Sequence, residues 1–425
     1  MDTLIIKNAQ IWIDNELVNK DIFIKKGFIK KIANNINVDK VKVYDFKDHI
    51  VVPGLIDVHV HLREPGFEYK EDIKTGAAAA AHGGYTTVCC MPNLNPNTTT
   101  VKDLRNIIKK AKKVAKVNVL PYSAITVRRD GKSSLVDFYK NAKYAFAFSD
   151  DGCGIKRDEI MAQAMLEALT LDKVICAHAE DMKYIEPNGA IHQCKFADEH
   201  HIPHITSKSE WIQVERDLKL AAQTGAQYHV CHISCKETVD LIRKYKVKNK
   251  NISCEVTPHH LLLNCGLLQD KGIYKVNPPL RAIEDQKALQ EGIKDGTIDM
   301  IATDHAPHSD NEKSLNLMHS AFGIASLDYA FPLLYTYLVR KNIIDLNKLI
   351  HLMSINPAQR FKLPINEIAI GKKANLMVFD PNTFNKISKD TFFSKSKLTP
   401  FAGLNCSGWV KLTIANGNVA FAEGQ

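Results

Sequence analysis

The middle of the chain alternates between apolar runs of strand length and longer segments rich in Ala, Leu, Lys and Glu. Eight such runs lie at residues 55–61, 86–91, 117–125, 145–149, 174–178, 228–233, 252–256 and 298–303. This alternation is typical of parallel sheets, because each parallel connection needs a crossover segment, usually a helix. Eight strands are the number that closes a (β/α)8 barrel. The pattern therefore favours an α/β fold of the TIM-barrel type, although a doubly wound open sheet alternates in the same way.

Both ends of the chain have a different pattern, in which short apolar strands are separated by tight turns. At the N-terminal end the runs lie at residues 4–6, 11–13, 22–24 and 28–32. At the C-terminal end they lie at 374–379, 410–414 and 419–421, with a turn at Asn416-Gly417. Neither end has enough strands to bury a face alone. We therefore expect both ends to form one small discontinuous β-sandwich domain, residues 1–52 and 366–425, around a barrel domain of residues 53–365.

Composition excludes several classes of protein. The 425 residues are 45% hydrophobic and 24% charged, which is typical of globular chains and not of disordered, collagenous or coiled-coil ones. The net charge of +9 comes from scattered lysines and not from clustered arginines, so we expect no nucleic-acid partner. The ten cysteines show no CxxC spacing, which indicates reduced thiols. With no bilayer-spanning apolar stretch and no basic leader, we expect a cytoplasmic protein that binds no membrane.

Polar residues at the ends of the predicted strands indicate a metal site. His59 and His61 project from the same side of one strand, because side chains alternate with a period of two. The ends of later strands add Asp151, His178, His232 and Asp304. In a barrel the carboxyl ends of all strands meet on one face. Four imidazoles and two carboxylates exceed the needs of one tetrahedral zinc, so they suggest two metals with a bridging water.

Two of these positions remain open when only the residues are considered. His229 and His232 point to opposite sides of their strand, so at most one of them enters the barrel. The same parity separates Asp150 from Asp151. His259 and His260 follow the seventh strand and are candidates for a supporting role around the ligands.

The ordered motifs of the chain resemble those of the dihydroorotases of the amidohydrolase superfamily. The matching segments are DVHVHLREPG at 57–66, MPN at 91–93, FSDDG at 148–152, CAHAE at 176–180, CHIS at 231–234, VNPPLR at 276–281, ATDHAPH at 302–308 and FG at 322–323. Single pieces such as MPN are weak signals, but the ordered set is specific and spans nearly the whole chain.

The resemblance implies a hydrolase that interconverts N-carbamoyl-L-aspartate and L-dihydroorotate in pyrimidine synthesis. By motif match it implies two zinc ions, one held by His59, His61 and Asp304 and the other by His178 and His232. Asp151 would bridge them, at a position where many relatives carry a carboxylated lysine and the bacterial single-function dihydroorotases carry aspartate. Asp304 is also the expected general acid and base, because a carboxylate that touches the nucleophile can carry its proton.

The resemblance also implies a substrate site on the same face. Arg63 would bind the ring carboxylate, because its guanidinium supplies the paired donors that a carboxylate needs. Asn93, Asn277 and His308 would also bind the substrate. Backbone groups of Phe322 and Gly323 would contact the pyrimidine ring. The polar stretch 309–316 is expected to be a loop over the mouth of this site.

Two other functions fit parts of the pattern. A cyclic amidohydrolase acting on dihydropyrimidines, hydantoins or allantoin would share most ligands, but the REPG segment at 63–66 and the aspartate at 151 argue against it. A non-catalytic dihydroorotase-like subunit of aspartate carbamoyltransferase should have lost ligands, and all the expected ones are present. Beyond the small-molecule substrate, the expected partners are a second copy of the chain and aspartate carbamoyltransferase.

Overall fold

A computed structural model describes residues 1–424 as a mixed α/β structure. Its strands are β1 (Leu4–Ile13), β2 (Glu16–Lys25), β3 (Phe28–Ala33), β4 (Lys42–Asp45), β5 (Ile50–Pro53), β6 (Leu55–Val60), β7 (Tyr85–Cys90), β8 (Asn118–Pro121), β9 (Val174–Ala177), β10 (Ile191–His192), β11 (His204–Ile205), β12 (Gln227–Val230), β13 (Ile252–Val256), β14 (Met300–Ile301), β15 (Leu376–Asp380), β16 (Asn385–Lys386), β17 (Asn405–Cys406), β18 (Trp409–Ala415) and β19 (Asn418–Ala422).

The α-helices fill the connections between these strands and the region before β15. They are α1 (Ile73–His82), α2 (Val101–Val114), α3 (Phe138–Asn141), α4 (Asp158–Thr170), α5 (Lys195–Glu199), α6 (Lys208–Thr224), α7 (Lys236–Lys246), α8 (Pro258–Leu262), α9 (Ile283–Asp295), α10 (Asp310–Lys313), α11 (Ala330–Leu334), α12 (Leu346–Ile350) and α13 (Asn356–Arg360). Within residues 1–424, no helix has both the length and the apolar character needed to cross a bilayer.

Both chain ends contribute strands to one sheet, in the order β19-β18-β15-β5-β1-β2-β3, with β4 also paired to β1. The N-terminal strand is longer than predicted, because the runs 4–6 and 11–13 belong to a single β1 with a register shift between Ile6 and Ala9. Apolar side chains of both ends share one core, including those of Ile6, Ile24 and Leu412. The sheet is thus discontinuous in sequence, as expected, whereas its sandwich form and the boundaries at 52/53 and 365/366 stay predictions.

Two glycine turns join the two ends of the chain. Gly27 and Gly417 both have positive φ, at 77° and 74°, and a Cβ on Gly417 would lie 2.3 Å from the Cα of Gly27. Backbone hydrogen bonds from Ala374 N to Gly27 O and from Gly417 N to Ala374 O, both 2.9 Å, link the same turns. Glycine is needed at both positions, because a side chain would separate the two turns.

The parallel strands lie between the two ends of the chain. β6, β7 and β8 pair in that order, and β9, β12, β13 and β14 form a second parallel set. Isolated parallel bridges connect the two sets on both sides. Phe148 pairs with Ser123 after β8 and with Ile175 in β9, and His305 after β14 pairs with Val60 in β6.

The predicted run 145–149 differs from the other seven, because it forms bridges and not a regular strand. Phe146 N donates to Pro121 O at 2.8 Å and Phe148 N donates to Val174 O at 3.2 Å, so the segment does fill the place between β8 and β9. Beyond it the ladder stops, because the Asp150 carboxylate accepts from the amides of Ile125 and Thr126 in place of a backbone carbonyl.

Local signals in the sequence account for the limits of the longer helices. Asp72 caps α1 by accepting from Thr75 N at 2.8 Å, and Thr100 caps α2 within a capping box. Gly225 and Gly296 end α6 and α9 in the left-handed conformation, with φ of 75° and 83°. The apolar faces of the longer helices pack with the parallel strands in one continuous core. This arrangement leaves the segments that follow the parallel strands free to carry polar groups.

Candidate metal centre and active site

The six residues predicted as metal ligands lie together at the carboxyl ends of the parallel strands. His59 lies in β6, and the others follow β6, the Phe148 bridge, β9, β12 and β14 in turn. Their side chains are all buried: His59, His61, Asp151, His178, His232 and Asp304. Their convergence comes from strand direction, because parallel strands place their carboxyl ends on one face.

Two close groups of potential ligand atoms share Asp151. One group contains His59, His61 and Asp151, the other Asp151, His178 and His232, and the ligand atoms of each lie within 4.8 Å of one another. Asp151 Oδ1 lies 3.3 Å from His59 Nε2 and 3.5 Å from His232 Nε2. A carboxylate between two sets of imidazoles is the arrangement that a bridging ligand requires.

Asp304 completes the first group. Its Oδ1 lies 2.9 Å from His61 Nε2 and 3.4 Å from His59 Nε2. Burial by itself would raise the pKa of Asp304, but the charge of His59 and the adjacent His61 imidazole hold that pKa well below its ordinary value. The pKa of Asp151 is lowered against burial in the same way, by His59 and by His232. Both carboxylates are therefore ionised, which is the form that binds a cation.

Unsatisfied polar atoms test whether these residues fit a metal. His59 Nε2 and Asp151 Oδ1 are buried and have no hydrogen-bond partner, although each faces the other ligand atoms. A buried polar atom without a partner costs about 1–3 kcal/mol. His178 Nδ1 and His232 Nε2 also face each other at 3.0 Å. A cation among these atoms would satisfy them together, so the donor set fits metal ions.

Glu255 in β13 supports the centre and was missed by the sequence analysis. It accepts hydrogen bonds from His59 Nδ1 at 2.6 Å and from His229 Nε2 at 3.0 Å. Burial opposes its ionisation, but these imidazoles lower the pKa of Glu255 to about 2. The carboxylate thereby fixes the His59 ring with Nε2 toward the ligand group. A single charged residue in the apolar run ISCEV was the signal that could have revealed it.

The competing positions have separate roles in the structure. His229 turns away from the ligand groups, with Ser253 Oγ 2.8 Å from its Nδ1 and Glu255 at its Nε2. Asp150 holds the amides of residues 125 and 126 and lies outside the ligand groups. Of the histidines after the seventh strand, His260 hydrogen-bonds Thr257 and the Pro278 carbonyl. Strand geometry thus brings Asp151 and His232 to the centre.

Three residues of the site have a backbone conformation that is rare outside glycine. Arg63, His232 and Asp304 have φ of 58°, 33° and 45°. Such residues cost about 1–3 kcal/mol each and persist where the surroundings hold them, typically at functional sites. At Asp304 the support is the buried Asp57 carboxylate, which accepts from Thr303 Oγ1 at 2.6 Å and from Thr303 N at 3.2 Å.

A cavity of about 330 Å³ opens above the ligand groups. All six residues predicted to bind substrate line it: Arg63, Asn93, Asn277, His308, Phe322 and Gly323. Gly152 and Ala306 also line it and were not predicted. The cavity is therefore bounded by potential metal ligands and by the groups proposed for substrate.

Contacts inside the cavity divide the predicted substrate residues into two kinds. Arg63 Nε donates to Pro307 O at 3.1 Å, and its Nη2 lies 3.2 Å from His308 Nε2, so the guanidinium is held over the cavity. Asn93 instead contacts the ligand groups, because His61 Nδ1 donates to its Oδ1 at 2.9 Å and its Nδ2 donates to Asp151 at 3.2 Å.

Asn277 also has a protein partner, Glu180, which was not predicted. Its Nδ2 donates to Glu180 Oε1 at 2.8 Å, and Glu180 Oε2 lies 3.5 Å from His178 Nε2. Burial opposes ionisation of Glu180, but His178 lowers its pKa. Asn277 is thus connected to the second ligand group through one carboxylate.

Comparison with known proteins identifies the family of the chain. Residues 48–238 match the family model described as dihydro-orotase-like. The chain is 46% identical to the dihydroorotase of Brevibacillus brevis, covering 96% of each, and 45% identical to that of Listeria monocytogenes, covering 99% of each. Among solved structures it is similar to the L-hydantoinase (dihydropyrimidinase) of Arthrobacter aurescens, with a TM-score of 0.88, 25% identity and coverage of 100% of this chain and 97% of that one.

The dihydropyrimidinase of Brevibacillus agri shares the fold as well, with a TM-score of 0.86, 21% identity and coverage of 100% and 96%. The structural neighbours show the type of fold, and the nearly full-length identities to dihydroorotases are much higher. Together with two buried groups of ligand atoms that share Asp151, these identities lead to one conclusion. The chain belongs to the dihydroorotase family of metal-dependent hydrolases.

Proposed function

We propose that the protein catalyses the reversible cyclisation of N-carbamoyl-L-aspartate to L-dihydroorotate in the de novo synthesis of pyrimidine nucleotides. The observation that carries this proposal is a single cavity in which the Arg63 guanidinium lies above two ligand groups joined by Asp151. L-Dihydroorotate has both a cyclic amide to be opened and a carboxylate to be recognised. The cavity offers a separate set of groups for each.

The finer features of the architecture belong to the same proposal. We infer that the parallel strands close into a (β/α)8 barrel, supported by the bridges of Phe148 and His305 that connect the two parallel sets on both sides. We also infer that the sheet of the chain ends folds into a β-sandwich, supported by its shared apolar core. Residues 53–365 would then be the catalytic domain, with residues 1–52 and 366–425 attached to it.

We infer that the metal is zinc and that two ions are bound. His59, His61 and Asp304 would hold one ion, His178 and His232 the other, and Asp151 would lie between them. A ligand set rich in imidazole favours zinc. When bound, zinc in such sites lowers the pKa of water and polarises the amide carbonyl.

Asp304 is the proposed general acid and base. Its carboxylate is ionised in this buried site and would accept the proton of the attacking water during ring opening. It then delivers that proton to the ring nitrogen that leaves the carbonyl carbon. In the cyclisation direction the same carboxylate takes the proton from the attacking nitrogen. His61, 2.9 Å away, keeps the carboxylate oriented toward the ligand group.

Substrate recognition is assigned to the cavity wall. Arg63 would bind the ring carboxylate by its guanidinium fork, because paired N–H groups match the two carboxylate oxygens. Asn93, Asn277 and His308 would complete the polar contacts. Backbone groups of Phe322 and Gly323 would contact the pyrimidine ring.

A second candidate function is the hydrolysis of hydantoins or dihydropyrimidines, which the fold similarity to the Arthrobacter aurescens hydantoinase favours. Its substrates lack the carboxylate that Arg63 would bind, so the two functions separate in one assay. The ring-opening rate of the zinc-replete protein on L-dihydroorotate is measured beside those on dihydrouracil, hydantoin and allantoin. We expect rapid turnover of L-dihydroorotate alone, and preferential turnover of another ring would transfer the assignment to that hydrolase.

The cellular setting is also part of the proposal. The ten cysteines are free thiols in the structure, which supports a reducing compartment, and we place the protein in the cytoplasm. We further propose a homodimer and an association with aspartate carbamoyltransferase, with no nucleic acid or membrane as partner. Light scattering of the protein alone and mixed with that enzyme tests both associations, and unchanged monomer mass would reject them.

A further inference from the structure

Lys313 is a buried lysine in the segment that connects two residues lining the cavity, His308 and Phe322. It ends α10, its exposed fraction is 2%, and it belongs to residues 309–321, which we name the cover loop. The neighbouring Glu312 pairs with Lys70, and among the described residues Lys313 itself forms no ion pair. A buried charge without a partner is costly. Its position therefore needs an explanation beyond packing.

The amine of Lys313 connects two separate segments of the cavity wall. Its Nζ donates to Ala321 O at 2.9 Å and to Lys275 O at 3.0 Å. Ala321 immediately precedes Phe322 and Gly323, and Lys275 lies two residues before Asn277. The two acceptors are thus adjacent to wall residues that come from different parts of the chain.

The Lys275 carbonyl is the centre of this connection. It accepts from Gly323 N at 3.0 Å in addition to Lys313 Nζ. The Lys275 side chain crosses in the opposite direction, because its Nζ donates to Met318 O at 2.9 Å and lies 4.5 Å from the centre of the Phe322 ring. One pair of lysines therefore ties the cover loop to the segment that carries Asn277.

Close packing shows that the cover loop sits directly on that segment. Gly272 N donates to Leu315 O at 2.7 Å. A Cβ on Gly272 would lie 1.7 Å from Ser320 Oγ and 2.7 Å from Lys313 O. The contact leaves no room for a side chain at residue 272, so a small displacement there must move the cover loop.

We infer that Lys313 is a positioning residue that clamps the cover loop to the Lys275 carbonyl and so fixes Phe322 and Gly323 relative to Asn277. The cavity would otherwise widen between these two walls. The clamp itself is independent of the proposed function. Only its expected consequence, tighter binding of the substrate ring between the two walls, rests on that function.

The clamp does not depend on the charge of Lys313. Burial and the nearby charge of Lys275 lower the pKa of Lys313 to about 7. The ammonium has three N–H groups and the neutral amine has two, and the clamp uses two. Its effect should therefore persist across neutral pH.

The test replaces Lys313 by Met, which keeps the length of the side chain and removes the donors. We expect KM for L-dihydroorotate to rise about tenfold or more while kcat falls less, because the walls that hold the ring separate. Zinc content should stay at the parent value, because Lys313 contacts no proposed ligand. The matched control is Lys341→Met, an exposed lysine whose replacement should leave KM unchanged.

Hydrogen exchange separates failure of the clamp from failure of the proposed function. In Lys313→Met, amides of residues 309–323 and 272–277 should exchange faster than in the parent, and this holds whatever ring the enzyme opens. A KM within twofold of the parent together with unchanged exchange would overturn the inference. Loss of zinc would also overturn it, because the residue would then support the metal centre.

A second variant reaches the same contact from the other side. Gly272→Ala leaves Lys313 in place but pushes against the cover loop, so we expect a rise in KM and faster exchange of the same amides. If Lys313→Met does not fold, Gly272→Ala and Lys313→Gln decide the question. Parent-like KM and exchange in both would reject the clamp.

Discussion

The two ends of the parallel strands carry cavities of opposite character. At the carboxyl ends, about 330 Å³ is lined by potential metal ligands and by Arg63. At the other end, about 670 Å³ lies among the first residues of β8, β9 and β12 and is lined by Phe146, Phe361, Lys173 and Arg360. The smaller cavity holds the candidate reactive groups. The chemistry of a cavity therefore depends on which side chains line it and not on its volume.

Cations at the two ends show the same difference. Arg360 Nη2 donates to Asn251 O at 2.6 Å and Tyr228 O at 3.2 Å, and Lys173 Nζ donates to Ala145 O at 2.7 Å. These bonds connect backbone near the starts of strands, which is a stabilising role. Arg63 donates its Nε–H to Pro307 O and lines the cavity at the carboxyl ends. Residues at the amino ends should therefore affect stability, and residues at the carboxyl ends should affect turnover.

The largest expected effect is that of Asp151→Ala. This change removes the residue shared by both ligand groups, so metal content should fall and turnover should drop about a thousandfold or more, because the proposed metals would activate the nucleophile. Metal analysis and the hydrolysis rate check it together. Full metal content with normal turnover would show that Asp151 bridges nothing.

Asp304→Asn should abolish turnover while leaving zinc largely bound. The amide keeps an oxygen ligand but cannot accept and return a proton, so the loss should appear in kcat. Zinc content and kcat are measured on the same preparation. Near-normal turnover would remove Asp304 from the mechanism.

Arg63→Ala tests the contrast between the two ends directly. We expect weaker binding of L-dihydroorotate by about 2–4 kcal/mol if the carboxylate and guanidinium form a buried charge pair. Arg360→Ala is the matched variant at the amino ends, where KM should stay at the parent value and the melting temperature should fall. Equal effects of the two changes on KM would contradict the division.

Glu255→Gln should have a smaller effect, because it alters the hydrogen-bond partner of the proposed ligand His59. Loss of the charge-assisted hydrogen bond to His59 should reduce metal affinity or activity about 10–100-fold. Competition with a chelator measures the affinity, and excess zinc should restore part of the rate. Parent-like metal affinity and rate would assign Glu255 to the fold alone.

The smallest expected effect concerns acid stability and involves Glu210, which does not line the cavity at the carboxyl ends. Buried Glu210 binds Ser234 N at 2.9 Å, and although burial opposes ionisation, the charge of Arg281 lowers its pKa below the ordinary 4.5. A lowered folded-state pKa stabilises the fold above pH 4.5, and this stability is lost as pH falls further. Glu210→Gln should flatten that part of the unfolding curve, measured by denaturant titration from pH 3 to 7. An unchanged slope would mean that other groups govern it.

Much of this site could be predicted from local sequence. His59 and His61 lie on one strand, and a period of two dictates that they share a side. Strand direction then brings His178 and Asp304 to the same face. Each of these inferences needs only periodicity or direction, which the chain specifies over a few residues.

Other features required the tertiary structure. Glu255 could be noticed in β13, but its contact with His59, a residue 196 positions away in sequence, depends on how the two strands are placed. Lys313 could be read as a loop lysine, and only the folded chain shows its amine between the Lys275 and Ala321 carbonyls. The sequence by itself determined the types of the proposed ligands and the face they share, because residue identity, alternation and strand direction are all set locally. The tertiary structure decided which buried groups form hydrogen bonds with each other, because these partners come from distant segments that meet only when the chain packs.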